Sequence, residues 1–114
     1  MFNADLSNVT MVNSNLELAN LRSTNMPSAN LSNVVLDGAN LSNSRLSRSD
    51  LSGASLEESN LWSARVAGSV FSHANVKAAN LLATGLSKKF ALNEFPDLEF
   101  SNTCLLYTSD AADE

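Results

Sequence analysis

Apolar and polar positions in this chain repeat every five residues from Ala4 to Lys88. Stepping by five from Leu6 gives Leu6, Met11, Leu16, Leu21, Met26, Leu31, Leu36, Leu41, Leu46, Leu51, Leu56, Leu61, Val66, Phe71, Val76, Leu81 and Leu86, all apolar. With 44% hydrophobic residues in the chain, chance would produce this run with a probability on the order of one in a million. Two residues before each of these centres stands a compact residue: eight Ala, five Ser, two Thr and two Val. Immediately before the centre stand eight Asn and two Asp.

A five-residue period fits neither common element. On an α-helix five residues advance about 500°, so the centres would wander around the axis. On a straight strand an odd spacing sends alternate centres to opposite faces. A chain that turns a corner once per repeat resolves both problems. The centre and the residue two before it then share an inward face, and the other three positions face water. Four corners close a square coil of twenty residues, and successive coils stack about 4.8 Å apart.

The units Ala19-Asn20-Leu21, Ala29-Asn30-Leu31, Ala39-Asn40-Leu41 and Ala79-Asn80-Leu81, with Ala4-Asp5-Leu6 and Ser49-Asp50-Leu51, resemble the A(D/N)LXX motif of pentapeptide-repeat proteins. The resemblance implies an all-β fold, the right-handed quadrilateral β-helix of that family: a solenoid of about four coils followed by an irregular C-terminal segment. Its expected core centres include Leu6, Leu21, Leu31, Leu41, Leu51, Leu61, Phe71 and Leu81. The inward hydroxyls, among them Thr24, Ser44, Ser49, Ser59, Ser69 and Thr84, require backbone carbonyls as partners.

The expected organisation is a repeat region over 1–88, a non-repeat segment over 89–103 whose aromatics cover the last coil, and a foreign tail over 104–114. That tail, Cys104 to Glu114, resembles the translation of a transposase-type sequencing adapter and is set aside in reasoning about the fold. Met1 and Phe2 already fit the repeat as a centre and the residue after it. Both ends therefore read as cuts through a longer protein.

Charge sharpens the reading once it is located. The net charge is −5, yet residues 1–88 carry six acids against six bases, and the imbalance lies after Lys88. Stacking by twenty places Glu17, Asp37, Glu57 and the adjacent Glu58 on one face, with Lys77 following. Arg45, Arg48, Arg65 and Lys88 fall two corners away. Asn20, Asn40, Asn60 and Asn80 form a column suited to an amide ladder. A further column, Phe2, Arg22, Ser42, Trp62 and Leu82, turns an indole outward.

Catalytic chemistry has no foothold here. His73 is the only histidine and reads as a surface imidazole, and Cys104 is the only cysteine. No nucleophile–base pair, metal-ligand cluster or Gly-rich phosphate loop is present in the pattern, so no cofactor is expected. The sequence has no apolar run long enough to cross a membrane and no secretory leader, which makes the cytoplasm the expected compartment. Six dispersed bases balanced by six acids predict no direct nucleic-acid binding.

The expected function is a non-catalytic protein-interaction or scaffold module with an unidentified protein partner. Trp62, Arg22 and Leu82 are the first candidate contacts, and Glu17, Asp37, Glu57 and Glu58 the second. Two alternatives accompany it. The family resemblance implies a DNA-mimicking modulator of DNA gyrase, which a neutral repeat region suits poorly. The other is a purely structural spacer.

Overall fold

The computed structural model describes residues 3–81 and Thr84. Within this span the chain makes a two-residue turn at every fifth step, from 7–8 to 77–78. Each turn starts at a centre residue, whose carbonyl accepts the amide three residues later, as in Ser44 N to Leu41 O at 3.1 Å and Ala54 N to Leu51 O at 3.0 Å. The third residue of every turn has positive φ. This holds at sixteen successive positions from Asn3 to Ala78, with φ between 57° and 75°. A positive φ at that position defines the type II turn, which favours Gly or Asn there and Pro just before. Asn3, Asn8, Asn13, Asn33 and Asn43 occupy five of these sites and glycines three more. Pro27 occupies the favoured proline position.

Four turns complete a circuit, and successive circuits lie in register at a separation of twenty residues. Twelve parallel bridges, from Asp5↔Asn25 to Asn60↔Asn80, all join residue i to i+20. Three of the five amides in a repeat bond to a neighbouring circuit. For the repeat centred on Leu41 these are Leu41 N to Asn60 O (2.7 Å), Asn43 N to Trp62 O (2.9 Å) and Asn40 N to Ala19 O (2.9 Å). The fourth closes the turn itself.

The fifth amide belongs to the residue after the centre, and it explains the Asn and Asp that precede the centres. Their side-chain Oδ1 accepts that amide two residues on: Ser7 from Asp5, Glu17 from Asn15, Arg22 from Asn20, Ser32 from Asn30, Ser42 from Asn40, Ser52 from Asp50, Trp62 from Asn60 and Lys77 from Asn75, at 3.0–3.2 Å. This is the local turn these short side chains form readily. Where Pro27 removes the amide, Asn25 has none to accept at that position, and its Nδ2 reaches Asp5 and Ser7 one circuit back.

These observations correct the expected all-β architecture. Among the described residues there is no helix and no strand longer than a single bridge residue. No sheet is formed among the described residues, and the terms β-helix and solenoid do not describe them. The reason lies in the period. Each side of a circuit has only three residues between turns, and a ladder that must stop after one bridge cannot build a strand.

The inward face follows the sequence pattern. Leu21, Leu31, Leu41, Leu51, Leu61, Phe71 and Leu81 are buried, interleaved with Ala29, Ala39, Ala54, Ala64 and Ala79. Burying each large centre contributes roughly 1.5–3 kcal/mol. Leu6 departs from expectation: with Met11 and Leu16 it is only half-buried. Among the described residues, a single neighbouring circuit packs against that first one.

The inward hydroxyls find their carbonyls in two ways. Thr24, Ser44, Ser59 and Thr84 donate within their own turn to Leu21, Leu41, Leu56 and Leu81. Ser49 and Ser69 instead donate across to Met26 and Leu46 of the preceding circuit, at 2.8 and 2.6 Å. Ser49 Oγ also accepts the amide of Ala29. The expected covering segment over 89–103, the tail over 104–114 and residues 85–88 lie outside the described residues.

Candidate functional site

Because the core is filled by side chains, chemistry can only be presented on the outward columns. The first of these carries Arg22, Ser42 and Trp62, tied through Ser23 N to Ser42 O and Asn43 N to Trp62 O, both 2.9 Å. Trp62 is 44% exposed, and its backbone is fixed by Asn60 Oδ1 on its amide. Arg22 is exposed and held in the same way by Asn20. Ser42 between them is buried, at 5% exposure, whereas the other described residues at this position of the repeat are half-buried or exposed. The Ser42 hydroxyl folds back onto Asn40 Oδ1 at 2.7 Å. Leu82, the remaining expected member, lies outside the described residues.

The acidic column has a different character. Asp37 and Glu57 are half-buried, and Glu17 and Glu58 are exposed. Asp37 does more than carry charge. Residue 55 is a serine where ten of the seventeen repeats have Asn or Asp, and its side chain is too short to take the amide of Glu57. Asp37 Oδ1 supplies the acceptor from the preceding circuit, bonding Glu57 N at 3.0 Å and Ser55 Oγ at 2.5 Å. Glu57 in turn accepts from Asn75 Nδ2 at 3.0 Å. Sequence reasoning missed this structural duty; Ser55 at a position normally held by Asn or Asp was the available signal.

Two other carboxylates are tuned by their turns. Asp5 and Asp50 are held below the usual carboxylate pKa, first by the hydroxyls of Ser7 and Ser52 and then by the amides of the same residues. Both hydrogen bonds favour the charged form.

Arg45 and Arg65 are directly bridged partners in one column, and both are exposed. Arg48 stands three residues beyond Arg45, and its side chain lies against the open face of Gly68. They stand two bridge positions from the acidic column in a circuit of four. Three exposed apolar side chains were not singled out by the sequence reading: Leu18 at 76%, Val70 at 43% and Val12 at 38%. All three occupy outward positions of the repeat, so register alone could have found them.

No group of three or more His, Cys, Asp or Glu side chains able to hold a metal ion occurs among the described residues. Within the same residues, no helix is long and apolar enough to cross a membrane.

Comparison with known proteins agrees with the repeat. A pentapeptide repeat protein from Nostoc PCC 7120, alr5209, is 35% identical over 65% of this chain and 61% of its own, with a TM-score of 0.62. This chain thus spans less than two thirds of that relative. Rfr23, a pentapeptide repeat protein from Cyanothece 51142, is 24% identical over 72% of this chain and 76% of its own, with a TM-score of 0.37. HetL from Nostoc PCC 7120, a pentapeptide repeat protein involved in heterocyst differentiation regulation, is 28% identical over 71% of this chain and 50% of its own, with a TM-score of 0.34. No curated protein matches the chain. Pentapeptide repeats, in eight copies, are recognised over residues 1–38, 14–53, 26–62 and 49–82. The chain therefore belongs to the pentapeptide-repeat family, whose members are characteristically non-catalytic.

Proposed function

We propose that the chain acts as a non-catalytic protein-interaction or scaffold module, binding a protein partner through the Arg22–Ser42–Trp62 column. The observation that carries this reading is Trp62. A large amphipathic ring stands 44% exposed on a backbone fixed by hydrogen bonds through its own amide and carbonyl and through those of Leu61. Indoles held this way make effective anchors, because little conformational entropy is lost on binding and a large apolar area is gained. Arg22 two circuits away supplies a planar cation at the rim of the same surface.

Substitution of Trp62 by Ala tests this reading. The residue lies outside the core, so the variant should fold with unchanged thermal stability. Affinity for a partner captured by the wild-type chain should fall at least about 30-fold, the effect of losing a central aromatic anchor worth ~2 kcal/mol or more. A partner that binds both proteins equally would remove Trp62 from the interface.

A further inference from the structure

The arginine face is unused by the fold. Among the described residues, the guanidinium groups of Arg45, Arg48 and Arg65 make no ion pair or hydrogen bond. Arg45 and Arg65 are stacked in direct parallel register, which sets the backbones of two like-charged residues one circuit apart, about 4.8 Å. Such a pair is repulsive in isolation and is relieved by anionic groups at the same pitch.

The same chain carries those groups. Glu17, Asp37 and Glu57 occupy one column at successive circuits, Glu58 adjoins it, and the exposed Lys77 ends the acidic run on the next circuit. The hydrogen bonds from Glu57 N to Asp37 Oδ1 and from Gly38 N to Glu57 O lock two of these acids one circuit apart. Both columns repeat with the circuit, so their pitches are equal by construction. They stand two bridge positions apart and cannot meet within one molecule. An extended peptide matches less well, since residues on one side of a strand recur at about 6.6–6.8 Å.

We propose that the Arg45–Arg48–Arg65 face of one copy docks laterally on the Glu17–Asp37–Glu57–Glu58 face of a second copy of this chain. The two patches differ, so the contact is heterologous. Each copy added leaves a fresh face of either sign exposed, and assembly is open-ended. The contact is ionic and solvent-accessible, which makes it weak and strongly salt-dependent. It uses neither Trp62 nor its column and stands independently of the binding reading above.

Sedimentation of the full chain at high protein concentration tests it, at about 20 mM and about 500 mM NaCl. The weight-average mass should rise with concentration at low salt, to at least about twofold the monomer, without levelling at a dimer. It should return to the monomer at high salt. The variants R45E/R65E and E17R/E57R, checked for folding by circular dichroism, should each remain monomeric alone. Mixed in equal amounts, they should associate again, because an acidic face now meets a basic one. A wild-type chain that stays monomeric at low salt overturns the proposal. So does an E17R/E57R variant that still associates on its own while R45E/R65E does not, which would place the arginines against acids outside this column. Failure of the mixture to associate likewise overturns it.

Discussion

Replacing Leu51 by Ala is expected to destabilise the protein by about 2–5 kcal/mol, the range for truncating a large apolar side chain in a packed interior. Leu51 has no exposed surface and lies in a central circuit. Its amide bonds Val70 one circuit on, and its carbonyl closes the turn to Ala54. Both backbone anchors resist the collapse that would fill the cavity, which places the loss in the upper part of that range. Leu6 provides the contrast. It is half-buried with a neighbouring circuit on one side, and its truncation should cost less than half as much. Urea denaturation of the two variants checks the pair. Equal losses would show that the circuits do not differ in packing.

Gly53→Val is expected to be the most damaging substitution on the outward surface, at roughly 2–4 kcal/mol. Two effects coincide there. Gly53 has a φ of +68°, which a β-branched side chain strongly resists. A Cβ would also meet the Oδ1 of Asn33, one circuit earlier, in a clash that requires the Asn33 side chain to move. Gly38 shows the same arrangement, with Leu18 Cδ2 at 2.6 Å from the position of a Cβ. Gly53→Asn separates the two effects. Asparagine tolerates positive φ at neighbouring turns, as at Asn43, so its cost should reflect the contact with Asn33 alone. Thermal melts of both variants read the difference, and a Val variant as stable as the Asn variant would remove backbone strain from the explanation.

The inward face was legible in the sequence because an apolar centre and a compact partner alternate there in every repeat. A centre such as Leu41 and its partner Ala39 are buried because only that pairing fills the interior at a five-residue period. The twenty-residue register was legible for the same reason, and it correctly stacked Asn20, Asn40 and Asn60. The work of these asparagines was harder to read. A column of amides invites a ladder between circuits, yet each Oδ1 accepts the backbone amide two residues on in its own circuit. Only a count of backbone donors reveals that one amide per repeat lacks a backbone acceptor.

Strand content was misjudged because stacking at strand spacing does not by itself make strands. The turns at 47–48 and 52–53 leave only Ser49, Asp50 and Leu51 between them, and a single bridge residue fits there. The candidate surface was legible as position and not as shape. Trp62 could be placed outward from its spacing, whereas the burial of Ser42 one circuit earlier does not follow from its position in the repeat. The exchange of Asp37 for the missing acceptor at Ser55 crosses circuits, so the serine marks where an acceptor is missing but not which residue supplies it.

Every surface assigned above depends on the register of residue i with i+20, and cross-linking tests that register directly. Arg45→Cys/Arg65→Cys in a Cys104→Ser background places two thiols on directly bridged residues, within the usual Cα separation of about 4.4–6.8 Å for a disulfide. Mild oxidation should cross-link this pair nearly completely within the monomer. The control Arg45→Cys/Val70→Cys, with the second thiol moved to the next bridge column, should not cross-link. A control that forms the bond as fully as the 45/65 pair, or a 45/65 pair that fails to form it, would contradict the twenty-residue stack.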